Sequence, residues 1–252
     1  MMELPVRVQG VGLLTPAGVG TQGATGGRPG PVPGFRARAY ISDRKSLKLM
    51  ARSVKLGVSA VNLALADAGD WEAVPAERRA LFVGASPQPG DSNDLGPALR
   101  ASMVEGAFSV QRFAVEGYPL IHPLWLLRGL SNNVLGFASA AYDLQGVNAN
   151  YCDGPRGGWT ALVEGALAVA EGRADLAIAG GADSMVGAEG FFAGRACGEG
   201  AAFVVFSRAR PGDAPLLLSK DGLDPNEREL GFLGAATWPV AFARHRLQQR
   251  EH

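Results

Sequence analysis

Short apolar runs alternate along the chain with longer stretches of helical spacing. Residues 4–14 (LPVRVQGVGLL) predict a buried strand ending at Gly10 and Gly12. Residues 80–85 (ALFVGA) are wholly apolar, as expected of a strand covered on both faces. Residues 146–151 (GVNANY), 175–180 (DLAIAG) and 201–206 (AAFVVF) predict three more strands, and 215–218 (PLLL) is a further short candidate. Leu47, Met50, Ala51, Val54, Val58, Val61 and Leu65 recur at helical spacing. They predict one helix from a Ser42 or Asp43 cap to about Ala68, stopped by Gly69. Further helices are expected over 97–113, 123–143 and 157–171, with Gly/Pro-rich loops over 20–34 and 86–98. The end, FARHRLQQREH, reads as a short polar helix or a frayed tail. Strands alternating with helices imply an α/β fold, a layered sheet with helices on both faces.

The helix over 157–171 is unusual. Between Gly157 and Gly172 its polar side chains are only Thr160, Glu164 and Glu171. A helix apolar nearly all round is expected to be buried on all sides. Either the tail after 210 folds back over it or a partner chain covers it. The expected organisation is one domain over 1–210 and a C-terminal tail over 211–252, whose packing on the domain the pattern leaves open.

Composition narrows the function. The 24 Lys and Arg balance 24 Asp and Glu, so the basic excess that nucleic-acid or anionic-membrane binding needs is missing. Apolar residues make up 47%, enough for a real core. The 35 Gly and 16 Pro stay below the roughly 25–30% that marks disorder. No apolar run reaches the roughly 18 residues of a membrane span. Met1 to Val11 lacks the features of a secretory signal. Two cysteines, Cys152 and Cys197, cannot build a disulfide framework, so the reducing cytoplasm is the expected compartment. With His122, His245 and His252 they show no metal-ligand spacing. GVGLLTPAGVG lacks both the dinucleotide and the Lys-Ser/Thr phosphate signatures, and SPQPGDSND (86–94) holds no G-x-S-x-G elbow. No cofactor is implied.

From Gly146 the chain reads GVNANYCDGPRGGWTALVEGALAVAEGRADLAIAGGADSM. This resembles the nucleophile-helix region of β-ketoacyl synthases, the condensing enzymes of fatty-acid and polyketide assembly. GVGLLTPAG (10–18), LALADAG (63–69), SNNVLGFASAAYDLQGVN (131–148) and GEGAAFVVF (198–206) are similar to further stretches of that family, in the same order. The resemblance covers about residues 6–210. It implies the N-terminal half of a thiolase-like fold, αβα-layered, with a mixed sheet of about five strands and helices on both faces.

The departures from the family change the expected function. Counting back from Glu171 and Gly172, the family's nucleophilic cysteine position holds Pro155, followed by Arg156, Gly157 and Gly158. Proline offers neither a nucleophile nor an N–H for an oxyanion, yet it fits the first turn of a helix. The family's second half, with its two catalytic histidines, finds no counterpart, and only about a dozen residues separate AGGADSM from GEGA. Cys152 is the alternative nucleophile, with Arg156 as a cation nearby. It also fits a small buried residue at a strand end. Asp153 would raise its pKa, and three residues of strand displace it by about 10 Å. Cys197 reads as core.

The resemblance implies a catalytically inactive ketosynthase-like subunit, similar to chain-length factors. Its expected partners are a full-length ketosynthase or a second copy, and an acyl carrier protein; nucleic acid and membrane spans are not expected. The competing readings are an acyl-thioester enzyme using Cys152 and a degenerate remnant. In the resembled family the strand before the nucleophile turn pairs with its two-fold mate. Here that strand is Val147, Asn148, Ala149, Asn150 and Tyr151, whose alternation suits an open edge.

Overall fold

In a computed structural model, residues 2–86 and 92–250 are described. The chain opens with β1 (Met2–Leu4), β2 (Val6–Thr15) and β3 (Gly18–Val19), then α1 (Arg44–Leu49), α2 (Arg52–Ala68) and β4 (Arg79–Gly84). Next come α3 (Ser92–Ala101), β5 (Met103–Val104), β6 (Ala107–Phe108), α4 (Val110–Arg112) and α5 (Trp125–Gly129). The rest is α6 (Asn133–Tyr142), β7 (Asn148–Tyr151), α7 (Gly154–Ala170), β8 (Leu176–Ser184), β9 (Glu199–Arg208), β10 (Leu216–Leu218), α8 (Glu227–Leu230) and α9 (Thr237–Arg250). Residues 87–130 form a compact unit of their own, and the remainder forms another.

The larger unit is built on a six-stranded mixed sheet in the order β3-β2-β9-β8-β4-β7. β4 runs parallel to β8 and β7, while β9 runs antiparallel to β8 and β2. Successive side chains on a strand point to opposite faces, and the core divides accordingly. Leu81, Val83, Ile178, Phe203 and Val205 join the cluster that holds Val54, Val58 and Val61 of α2. Their alternates Ala80, Phe82, Ala177, Ala179, Val204 and Phe206 pack with Ala161, Leu162 and Ala166 of α7 and Phe242 of α9. Val11, Leu13 and Ala202 meet Val240, Ala243 and Leu247 of α9. Helices therefore cover both faces. β1 pairs with β10 in a separate two-stranded sheet.

Several boundaries differ from those expected, each for a physical reason. β2 does not end at Gly10 and Gly12 but runs through them to Thr15. A Cβ on Gly12 would stand 2.0 Å from the Ala60 carbonyl oxygen, so the two glycines let α2 lie directly on the strand. GVGLLTPAGVG folds back as a hairpin, with Leu14 opposite Val19. The helix expected from Asp43 to Ala68 is broken. Asp43 caps α1 through the Lys45 N–H at 2.8 Å, but Met50 and Ala51 are extended, and α2 starts afresh at Arg52. Val32 and Ala24 in the loop over 20–34 are buried. α9 is no frayed tail, since it buries Val240, Phe242, Ala243 and Leu247.

β2 is irregular in its pairing with β9. A register shift lies between Val8 and Gly10. The Val11 N–H donates to the Asp67 carboxylate of α2 at 2.8 Å, and the same oxygen receives Arg250 of α9 at 2.7 Å.

In the smaller unit the helix expected over 97–113 ends at Ala101. β5 and β6 form a tight hairpin whose central residues, Glu105 and Gly106, both have positive φ, at 49° and 84°. That is the backbone a two-residue hairpin turn demands. Residues 92–96, expected in a loop, belong to α3. The segment expected as one helix over 123–143 is two, α5 and α6. Most of SPQPGDSND (87–91) lies outside the described residues.

Candidate functional site

β4, β7 and β8 run parallel and end on the same side of the sheet, where α7 begins. Ligands of open α/β sheets bind beyond the carboxyl ends of such strands. β7 passes through Cys152 and Asp153 to Gly154, whose φ of 47° turns the chain into α7. Pro155 occupies the first turn of α7. The N–H groups of Arg156 and Gly157 both donate to the Asp153 carbonyl, at 3.0 and 3.2 Å. Those donors are thus already engaged within the turn.

Three glycines allow this first turn to sit deep. A Cβ on Gly84, at the end of β4, would lie 2.4 Å from Gly158 Cα. One on Gly157 would lie 2.5 Å from the Tyr151 carbonyl oxygen, and one on Gly158 1.9 Å from that of Ala235. The segment before α9 is therefore pressed onto the start of α7. Trp159, in the second turn of α7, and Trp238, in the first turn of α9, meet edge to face with ring centroids 6.4 Å apart.

Two buried carboxylates fix the surroundings. Asp183, near the end of β8, accepts from the Ala235 N–H at 2.6 Å and from the Ser86 hydroxyl and N–H at 2.5 and 3.3 Å. It ties the end of β4 to the chain that leads into α9. Glu199, the first residue of β9, accepts from Val32 N–H at 2.8 Å, Ser184 Oγ at 3.0 Å and Arg52 Nε at 2.9 Å. It holds the loop over 20–34 and the start of α2 to the sheet.

The residues singled out from sequence do not converge on one centre. Cys152 is exposed, and its Sγ receives the Asn150 side-chain N–H at 3.6 Å. Cys197 is buried among Met185 and Phe232, donates to the Arg195 carbonyl, and has its pKa pushed up chiefly by burial. His122 belongs to the smaller unit, where its Nδ1 accepts from the Leu124 N–H. His245 lies exposed on α9 against Gln249. His252 lies outside the described residues. Among the described residues no group of three or more His, Cys, Asp or Glu could hold a metal ion, and no helix is long and apolar enough to cross a membrane.

β7 forms an edge of the sheet. Leu81 N–H donates to the Val147 carbonyl and Ala85 N–H to that of Tyr151. Backbone groups alternate in direction along a strand, so those of residues 147, 149 and 151 face β4, and those of Asn148 and Asn150 face outward. The Asn150 Oδ1 is buried with no hydrogen-bond partner.

No family model matches the sequence, and no curated protein matches it. Solved structures do resemble the fold, and they place it in a class: the thiolase-like fold of ketosynthases and chain length factors. The ishigamide ketosynthase/chain length factor matches with a TM-score of 0.65 at 20% identity, over 82% of this chain and 59% of that one. A type II PKS acyl-carrier protein in complex with its ketosynthase bound to the hexaketide gives 0.65 at 18%, over 82% and 64%. A β-ketoacyl synthase from Burkholderia phymatum STM815 gives 0.61 at 21%, over 82% and 59%. The chain thus spans about 59–64% of the length of these structures. The six-stranded sheet exceeds the expected count of about five by the two-residue β3.

Proposed function

We propose that the chain is a catalytically inactive ketosynthase-like subunit of fatty-acid or polyketide chain elongation, acting in the manner of a chain-length factor in the reducing cytoplasm. The observation that carries this reading is Pro155 in the first turn of α7, where the resembled family places its nucleophile. The engaged N–H groups of Arg156 and Gly157 support it, because an oxyanion needs free donors at that turn. A surface can set how long an acyl chain fits without forming any bond, so the missing nucleophile is compatible with a role.

The partner is a full-length ketosynthase or a second copy, joined along β7, whose outward backbone groups are a template for strand addition. An acyl carrier protein is the second partner. The stretch from Arg28 to Lys55 holds eight basic residues and one acidic residue, Asp43, in a chain of zero net charge. Arg36, Arg38, Arg44, Lys45 and Lys48 are exposed, so this segment suits an acidic protein surface.

The test incubates the purified chain with acyl and malonyl carrier-protein thioesters, alone and with a candidate ketosynthase. No β-ketoacyl product is expected from the chain alone, and a changed product length is expected with the ketosynthase. Turnover by the chain alone, abolished by Cys152→Ala, would replace this reading with the acyl-thioester enzyme. Pro155→Cys alone is expected to stay inactive, because the resembled family's two catalytic histidines find no counterpart in this sequence.

A further inference from the structure

Lys220 stands in the turn that follows β10. The turn is held locally, with Asp221 N–H donating to Ser219 Oγ at 3.1 Å and Leu223 N–H to the Lys220 carbonyl at 3.0 Å. The Lys220 ammonium reaches away from it to lie 4.6 Å from the ring centroid of Trp238 and 5.3 Å from that of Trp159. One cation therefore touches the second turn of α7 and the first turn of α9. Lysine is ordinarily the most readily solvated side chain, and helix N-termini are positively polarised, so a cation gains nothing from the dipoles there. What holds it is the negative face of two indoles, an arrangement that recognises ammonium groups. Leu223 adds a partly buried apolar contact on the same core.

We propose that residues 219–223 form a strap latched by the Lys220 ammonium on the Trp159–Trp238 pair, and that its release uncovers the starting turns of α7 and α9. The feature does not depend on the function proposed above, since it needs neither a partner nor an acyl group. Its position matters because Trp159 lies one turn from Pro155, at the end of α7 where the parallel strands finish. Charge at position 220 then sets how often the strap is open.

The experiment is hydrogen exchange of the full chain, read by mass spectrometry, for wild type, Lys220→Met and Lys220→Arg. Methionine keeps the length and loses the charge, so the 219–223 amides and those following Trp159 and Trp238 are expected to exchange about five-fold faster. Arginine, whose guanidinium also lies well on an indole, is expected to stay near wild type. Tryptophan emission should shift to the red in Lys220→Met alone. Unchanged exchange in Lys220→Met, or equal loosening by Arg and Met, would overturn the latch. Should Lys220→Met fail to fold, Trp238→Phe decides: the weaker ring should open the strap part-way, and wild-type exchange would refute it.

Discussion

Gly158 and Ala235 approach so closely that a single added methyl on the first would lie 1.9 Å from the carbonyl oxygen of the second. The same methyl would stand 2.8 Å from the Pro239 ring. The neighbours are backbone and a ring, neither of which can turn aside. Gly158→Ala should therefore push the start of α9 off α7 and destabilise the fold by about 1–3 kcal/mol. A lowered urea midpoint with an unchanged slope is the expected measurement; a wild-type midpoint would show that the contact is not held in solution.

The two cysteines should separate cleanly. In the native protein a thiol reagent is expected to modify Cys152 alone, and both cysteines after denaturation. Cys197 adds a pH effect. Burial raises its folded pKa above the unfolded one, so the folded state favours the neutral thiol. Its contribution is fully present below the unfolded thiol pKa and is lost as pH rises through the raised folded value. Cys197→Ser should therefore flatten part of the alkaline loss of stability, and an unchanged alkaline limb would count against that assignment.

Glu199 supplies a third prediction. Arg52 pairs with this buried carboxylate while its own side chain is 43% exposed. Removing the arginine strands a charge in the interior, whereas removing the glutamate leaves a guanidinium that water can reach. Arg52→Met should cost on the order of 3 kcal/mol. It should also loosen the loop through Val32, seen as faster proteolysis near the glycines and prolines of 26–34. Equal effects from Arg52→Met and Glu199→Gln would argue against this asymmetry.

Pairing along β7 can be tested with two prolines. Asn148→Pro removes an outward N–H and the Asn148 side-chain bond to the Gly146 carbonyl, and leaves the backbone ladder to β4 intact. Ala149→Pro removes a donor that faces β4 and should unsettle the monomer itself. The expected result is that Asn148→Pro sediments as a folded monomer, while wild type, alone or with a ketosynthase, sediments as a dimer. Wild type that is strictly monomeric in both runs at micromolar concentration would sink the assembly claim.

The sheet was readable in the chain because its central strands are continuous apolar runs, as at 80–85 and 201–206, and the alternation Asn148, Ala149, Asn150, Tyr151 marked an edge. The break between α1 and α2 was not readable. Leu47, Met50 and Val54 keep helical spacing across it, and no glycine or proline announces it. Arg52, the first residue after the break, is bound to Glu199, 147 positions away. Asp183 was equally hidden: its partners Ser86 and Ala235 are 97 and 52 positions distant. The latch at Lys220 joins three segments far apart in sequence, which no local period can reveal. The positions of the central strands followed from local signals, whereas the polar ties that set the site are contacts between remote residues.

The outer side of β2 has a bearing on how many molecules can join. There the Asp67 carboxylate on the Val11 N–H and the short hairpin with β3 leave little for a visiting strand to grip. The opposite border, β7, keeps its outward amides and carbonyls. Among the described residues the six-stranded sheet thus has one receptive flank. Two molecules that paired along β7 would use up that flank in each other, so growth by this sheet would stop at the pair.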